Sequence, residues 1–189
     1  MPKEIEYVAA ALAVLYLLLA IKQWRSCWIA AFVSSILYVL VMFEARLYME
    51  SLLNGFYAAM AIYGYWCWRA ATTGGQGTRV HRWPLRSHAL GLLGVLVLAT
   101  LTWWFLSRYT PAAWPFVDSL VTWSSVFATF LVARKVFENW HWWLLIDALA
   151  MFVYYRRGLD TTALLFALYL AMIIFGMREW RRDLGPAHA

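Results

Sequence analysis

Leu47-Tyr48-Met49-Glu50-Ser51-Leu52-Leu53-Asn54-Gly55-Phe56-Tyr57, running on through Met60, Ile62 and Gly64 to Trp68-Arg69, is echoed 112 residues later without a gap. There Leu159, Leu164-Leu165, Tyr169, Met172, Ile174, Gly176 and Trp180-Arg181 stand in the same register, and upstream Trp28 meets Trp140. Between 28 and 69 the two copies share 13 identities in 42 positions, where so biased a composition gives about three to four by chance. The register extends weakly to the preceding segment, where Glu6 meets Asp118 and Lys22 meets Arg134. Two copies of one unit are therefore expected.

The composition says where that unit lives. Of 189 residues, 64% are apolar and 14% charged, with 13 Trp, 11 Tyr and 11 Phe. A soluble domain carries about 25% charged residues, so this composition is that of a membrane protein and leaves no room for a separate soluble catalytic domain. Seven apolar runs approach the roughly 20 residues that a helix needs to cross the bilayer: 5 to 21, 26 to 43, 47 to 68, 88 to 107, 116 to 133, 140 to 155 and 159 to 177. The expected fold is thus all-α and integral to the membrane, with seven transmembrane helices in one domain over 1–189. A first three-helix unit (5–69) is followed by a cytoplasmic linker (70–87), a linking helix (88–107) and a second unit (116–182). Because four spans separate equivalent points, both copies enter the membrane from the same side, as a parallel repeat.

Basic residues set the orientation. The N-terminal tail and its side carry Lys3, Arg46, Arg108, Arg156 and Arg157, against 11 Lys and Arg on the other side, which includes the C-terminus. The richer side is expected to be cytoplasmic and the N-terminus outside. The same clustering between apolar runs explains the net charge of +6 without nucleic acid. Glu4 and Glu6 replace the basic start of a secretory signal, so the first run reads as a retained span. Gly74-Gly75-Gln76-Gly77, with no Lys-Ser/Thr after it and no strand before it, reads as flexible linker rather than a phosphate loop. Cys27 and Cys67 fall on the cytoplasmic side and imply no disulfide framework. His141 has no second His or Cys at ligand spacing, so no metal site and no cofactor are expected.

A three-plus-one-plus-three parallel repeat is the architecture of SWEET-like transporters, and particular residues point to one branch. Leu47-Tyr48, Leu52-Leu53-Asn54, Ile62-Tyr63-Gly64 and Trp68 resemble the third span of the Pnu vitamin transporters. So do Phe116-Val117-Asp118-Ser119, Arg134-Lys135 and Glu138-Asn139-Trp140, followed by Trp143 and a polar residue four later. The resemblance covers about 20 to 180 and is most specific from 116 to 147. It implies a facilitator of the nicotinamide riboside (PnuC) or thiamine (PnuT) type, in the bacterial inner membrane. It also implies trapping of the vitamin by a separate cytoplasmic kinase, and a homo-oligomer, a trimer by resemblance. The nicotinamide riboside type has Gln at Asn54, Asn at Ala61 and Asn at Asp147. A carboxamide both donates and accepts whereas an ionised Asp only accepts, which places thiamine, with its amino group and cationic ring, ahead of nicotinamide riboside.

Asp147 is the acid nearest the middle of any span. A carboxylate at that depth costs about 2.5–3.5 kcal/mol on insertion scales and should face a polar cavity or a partner. Trp140, Trp143, Asp147, Met151 and Tyr154 share one helical stripe, and indoles beside a carboxylate suit a cation, through cation–π attraction of about 2 kcal/mol when desolvated. The alternative is a packing stripe with Asp147 hydrogen-bonded to a neighbouring helix. Shifting by 112 carries Trp143 to Ala31 and Asp147 to Ser35, so one copy would grip while the other makes room. The expected substrate-binding set is Asp147, Trp143, Trp140, Asn54, Tyr57, Ser35 and Trp123. With no second carboxylate or buried His inside the spans for a proton relay, facilitated diffusion is the simplest mechanism.

Other classes fit less well. A retinal receptor needs a mid-span lysine, and Lys3, Lys22 and Lys135 all lie at span ends. An intramembrane hydrolase needs paired acids or a metal constellation. A purely structural scaffold does not require a charge at mid-depth.

Overall fold

Pro115 opens a helix where its missing N–H costs nothing, Asp118 sits in that helix's first turn against the positive end of its dipole, and the helix runs to Ala133. It is the fifth of seven helices: α1 (Lys3–Ile21), α2 (Cys27–Glu44), α3 (Tyr48–Arg69), α4 (Leu85–Tyr109), α5 (Pro115–Ala133), α6 (Asn139–Arg156) and α7 (Asp160–Arg182). This computed structural model describes residues 3–44, 48–69, 79–109, 114–156, 158 and 160–184. The linker glycines Gly74, Gly75 and Gly77, together with Arg46, Leu47 and Arg157, lie outside the described residues, as do the side chains of Lys3, Glu6 and Glu50. Helices α2, α4, α5 and most of α7 are long and apolar enough to cross a membrane, with mean hydropathies of 2.0, 2.1, 1.6 and 1.6. α6, of 18 residues, is about 27 Å long at 1.5 Å per residue, close to the thickness of the hydrocarbon layer.

Six helices form a closed ring in the order α1, α2, α3, α5, α6, α7 and back to α1, while α4 packs on α5 from outside. Each contact in one half of the ring has its counterpart in the other. The offset of 112 is present in the backbone itself. α1 ends with Gln23 at φ 55° and α5 with Lys135 at φ 54°, both in the left-handed region that commonly closes a helix. Trp24 N–H donates to Leu19 and Val136 N–H to Leu131, while Cys27 N–H donates to Trp24 and Asn139 N–H to Val136. Every one of these pairs is separated by the same interval.

Side-chain packing repeats too. A Cβ at Gly64 would fall inside the indole of Trp28, and one at Gly176 inside the indole of Trp140. These glycines leave room for an indole of the neighbouring helix to lie against the backbone, a use of small residues at helix contacts inside a bilayer. Trp28 meets Trp68 edge-on at 5.5 Å and Trp140 meets Trp180 edge-on at 5.4 Å, and Trp68 and Trp180 meet each other at 6.1 Å. The indoles bond across the repeats: Trp68 Nε1 donates to the carbonyl of Ala133 at 3.2 Å, and Trp180 Nε1 to that of Ala20 at 3.0 Å. This quartet closes one end of the ring, on the basic face that carries the loops after α1 and α5.

Residues 79–84 depart from a flexible linker. His81 N–H donates to Lys135 O at 3.2 Å and Phe137 N–H to His81 O at 2.8 Å, a parallel bridge laid across the α5–α6 loop. Val80 and Val136 are buried beneath it. Glu138 accepts the Trp83 backbone N–H at 3.2 Å and lies 3.9 Å from Arg82 and 3.6 Å from His88. The repeat counterpart of Glu138 is Ser26, which lacks a carboxylate to hold such a strap.

Candidate solute cavity

Inside the ring lies a cavity of about 450 Å³, walled by α1, α3, α5, α6 and α7. α6 supplies Trp140, Trp143, Asp147 and Tyr154, with Ile146, Ala150 and Val153 between them. Their spacing of three, four and seven residues keeps them on one face. Met151, placed on the same stripe from sequence, is not part of the lining; Ala150 takes its position. Tyr154 stacks on Phe166 of α7 at 5.4 Å, and Phe166 meets Tyr169 edge-on at 5.8 Å. Asp147 is buried. Its carboxylate makes no hydrogen bond or ion pair to any described residue, so the interhelical bond that a purely structural role requires is not formed among them.

The first repeat contributes a different chemistry: Ala13, Tyr16, Leu17 and Ala20 from α1, Leu53 and Tyr57 from α3, and nothing from α2. The reason is one side chain. Tyr16 lines the cavity with its ring 5.9 Å from Trp28, standing in front of it. The counterpart of Tyr16 is Ala128, and where that bulk is missing Trp140 reaches the cavity directly.

Of the residues singled out from sequence, Asp147, Trp143, Trp140 and Tyr57 come together on this cavity, while Asn54, Ser35 and Trp123 are not on its wall. Trp123 turns outward, where its Nε1 donates to Thr102 Oγ1 of α4 at 3.0 Å. Ser35 is buried on α2, whose neighbour Ser34 bonds back to Ala9 O of α1 at 2.8 Å. Asn54 is half-buried on α3, between the lining residues Leu53 and Tyr57.

Sequence reasoning missed three polar residues of α5, Asp118, Thr122 and Ser125, and two tyrosines, Tyr16 and Tyr169. Asp118 is exposed at the end of α5 away from the tryptophan quartet, and it makes a second carboxylate on a wall expected to hold one. The spacing of four and seven residues on α5 is a legible helical stripe. Among the described residues no Lys or Arg lines the cavity. Among the described residues no three His, Cys, Asp or Glu side chains gather as metal ligands. The arrangement can hold an aromatic, positively charged solute between rings and beside a carboxylate, and its described lining offers a phosphate no positive charge.

Comparison with known proteins agrees with this geometry. Residues 3–182 match the model of the family described as nicotinamide mononucleotide transporter. The chain is similar to the nicotinamide riboside transporter PnuC of Escherichia coli K12, at 25% identity over 93% of this chain and 84% of that protein. It is also similar to the riboflavin/roseoflavin transporter RibM of Streptomyces davaonensis, at 27% identity over 68% of this chain and 63% of that protein. Among solved structures, the crystal structure of the vitamin B3 transporter PnuC superimposes with a TM-score of 0.75, at 20% identity, over 96% of this chain and 82% of that one.

Proposed function

The chain belongs to the nicotinamide mononucleotide transporter family, and on that premise we propose that it carries unphosphorylated nicotinamide riboside across the bacterial inner membrane by facilitated diffusion. It is a multi-pass vitamin transporter and not an enzyme. The observation that carries the finer reading is Asp147, a buried carboxylate without a protein partner among the described residues, facing an aromatic-walled cavity. Nicotinamide riboside has a cationic ring to neutralise it. Bringing the cation in desolvated beside Trp143 adds about 2 kcal/mol of cation–π attraction. A mononucleotide adds a phosphate, which the two carboxylates would repel, with no Lys or Arg among the described residues of the wall to offset them.

Thiamine is the second reading. An ionised Asp147 accepts from the amino group of thiamine, and the same cavity supports it. The riboside moves ahead because it satisfies Asp147 and is also the substrate named for a relative matched over nearly the whole chain.

Transport would proceed by alternating access. The described cross-repeat polar bonds gather on the basic face: Trp68 to Ala133, Trp180 to Ala20, Lys135 to Gln23, Gln23 to Asp183 and Arg134 to Tyr63. That face, with 11 of the 16 Lys and Arg, would be cytoplasmic, so release inward breaks this group of bonds. Net uptake then needs a cytoplasmic kinase to trap the vitamin. Calorimetric titration of the purified protein with nicotinamide riboside, thiamine, riboflavin and the corresponding phosphates tests the reading. Binding of the riboside with at least tenfold weaker binding of the mononucleotide is expected; preferred binding of a phosphorylated vitamin, or of uncharged riboflavin, contradicts it.

A further inference from the structure

Thr122 and Ser125 stand one turn apart on α5 and both face the cavity. A hydroxyl inside a helix usually bonds back to a carbonyl of the preceding turn. Thr129, on the same helix, donates to Ser125 O at 2.8 Å, and Thr100 on α4 donates to Leu96 O at 2.7 Å. Thr122 and Ser125 make no such bond, nor any other side-chain hydrogen bond to a described residue. Ser125 is only 5% exposed and lines the cavity, so its hydroxyl has little besides the cavity's contents to meet it.

Ser125 also stands level with Asp147, with Thr122 one turn beyond it. Ser125 lies eight residues before Ala133 at the end of α5, and Asp147 eight residues after Asn139 at the start of the adjacent α6. Each is about 12 Å from the same end at 1.5 Å per residue. The counterparts of Thr122 and Ser125 in the first repeat are Ala10 and Ala13, so the feature is present in one repeat only, the one that also carries Trp143 and Asp147.

We propose that Thr122 and Ser125 form the wall that reads the sugar hydroxyls of a ribosylated cation whose ring lies against Trp143 and Asp147, and so set the preference for a riboside over a solute without a diol. A hydroxyl both donates and accepts, as each hydroxyl of a vicinal diol does, and two of them one turn apart can engage such a pair. This rests on the riboside reading above.

The test crosses protein with ligand. Affinities for nicotinamide riboside and its 2′,3′-dideoxy analogue are measured by titration for wild type, Thr122→Ser, Ser125→Ala and the Thr122→Val/Ser125→Ala double variant. Wild type should prefer the riboside by about tenfold or more, the equivalent of one to two net hydrogen bonds. The double variant should bring the two ligands within about twofold by weakening the riboside alone, and Ser125→Ala should lie between. Thr122→Ser, which keeps the hydroxyl, should retain the wild-type ratio. A ratio unmoved in the single and double variants, or equal loss for both ligands, overturns this inference while leaving riboside binding intact. Wild-type protein that binds thiamine and no riboside overturns both readings together.

Discussion

Lys135 Nζ donates a 3.2 Å hydrogen bond to Gln23 Oε1, and the two residues are each other's counterparts in the repeat. Each also holds the left-handed turn that ends its helix. The bond therefore joins the halves of the ring close to their shared axis. Lys135 lies 4.7 Å from the Trp68 ring as well, and Gln23 Nε2 donates to Asp183 at 2.7 Å. A polar group of this kind in the middle of the closed face makes the closure specific in register.

Burial holds the Lys135 ammonium below its ordinary 10.5, with Cys27 and Asp183 pulling weakly the other way. A folded-state pKa below the unfolded one means that the unfolded chain holds this proton more tightly. The contribution of Lys135 to stability therefore rises with pH through the lowered value up to 10.5. Lys135→Met should show a flatter rise of melting temperature than wild type over that alkaline window. Identical slopes would mean that the amine is solvated in the folded protein.

Gly64 and Gly176 should behave as a pair. An added methyl meets the Trp28 or Trp140 ring, and overpacking of this kind costs about 1–3 kcal/mol. Gly64→Ala and Gly176→Ala are expected to lower thermal stability in detergent by similar amounts, whereas Gly94→Ala, with open space around it, should not. Unequal losses at the first two would show that the halves do not pack alike.

Trp123 faces α4, not the cavity. Trp123→Phe removes one hydrogen bond, worth about 0.5–1.5 kcal/mol, and keeps most of the packing. A small stability loss with unchanged substrate affinity is expected; affinity lost at constant stability would return Trp123 to the site.

The repeat was legible because membrane helices built to pack alike reuse their small and aromatic residues, and Gly64, Gly176, Trp68 and Trp180 carried the register. Span limits were close as well: α4 begins at Leu85 and ends at Tyr109, a little beyond the expected 88 and 107. Asp147 and Trp143 were legible because a mid-span carboxylate is conspicuous. Thr122 and Ser125 were passed over for Trp123, since a large aromatic draws attention that two hydroxyls do not, although their spacing was there to read. The difference between Tyr16 and Ala128, which decides how Trp140 reaches the cavity, was present in the same 112-residue shift. The strap over the α5–α6 loop was not legible. It pairs His81 with Val136, and nothing local to residues 79–84 marks that distant partner.

The central claim is that Asp147 holds a cationic vitamin inside this cavity, and uptake of labelled nicotinamide riboside into proteoliposomes, with unlabelled thiamine as competitor, tests it most directly. Wild type should equilibrate the label without accumulating it. Asp147→Leu, which removes the carboxylate and leaves no carboxamide in its place, should lose about 10- to 100-fold in kcat/KM, the worth of one charge-assisted contact of 1.5–3 kcal/mol. Asp147→Leu uptake at the wild-type rate and KM would contradict the account.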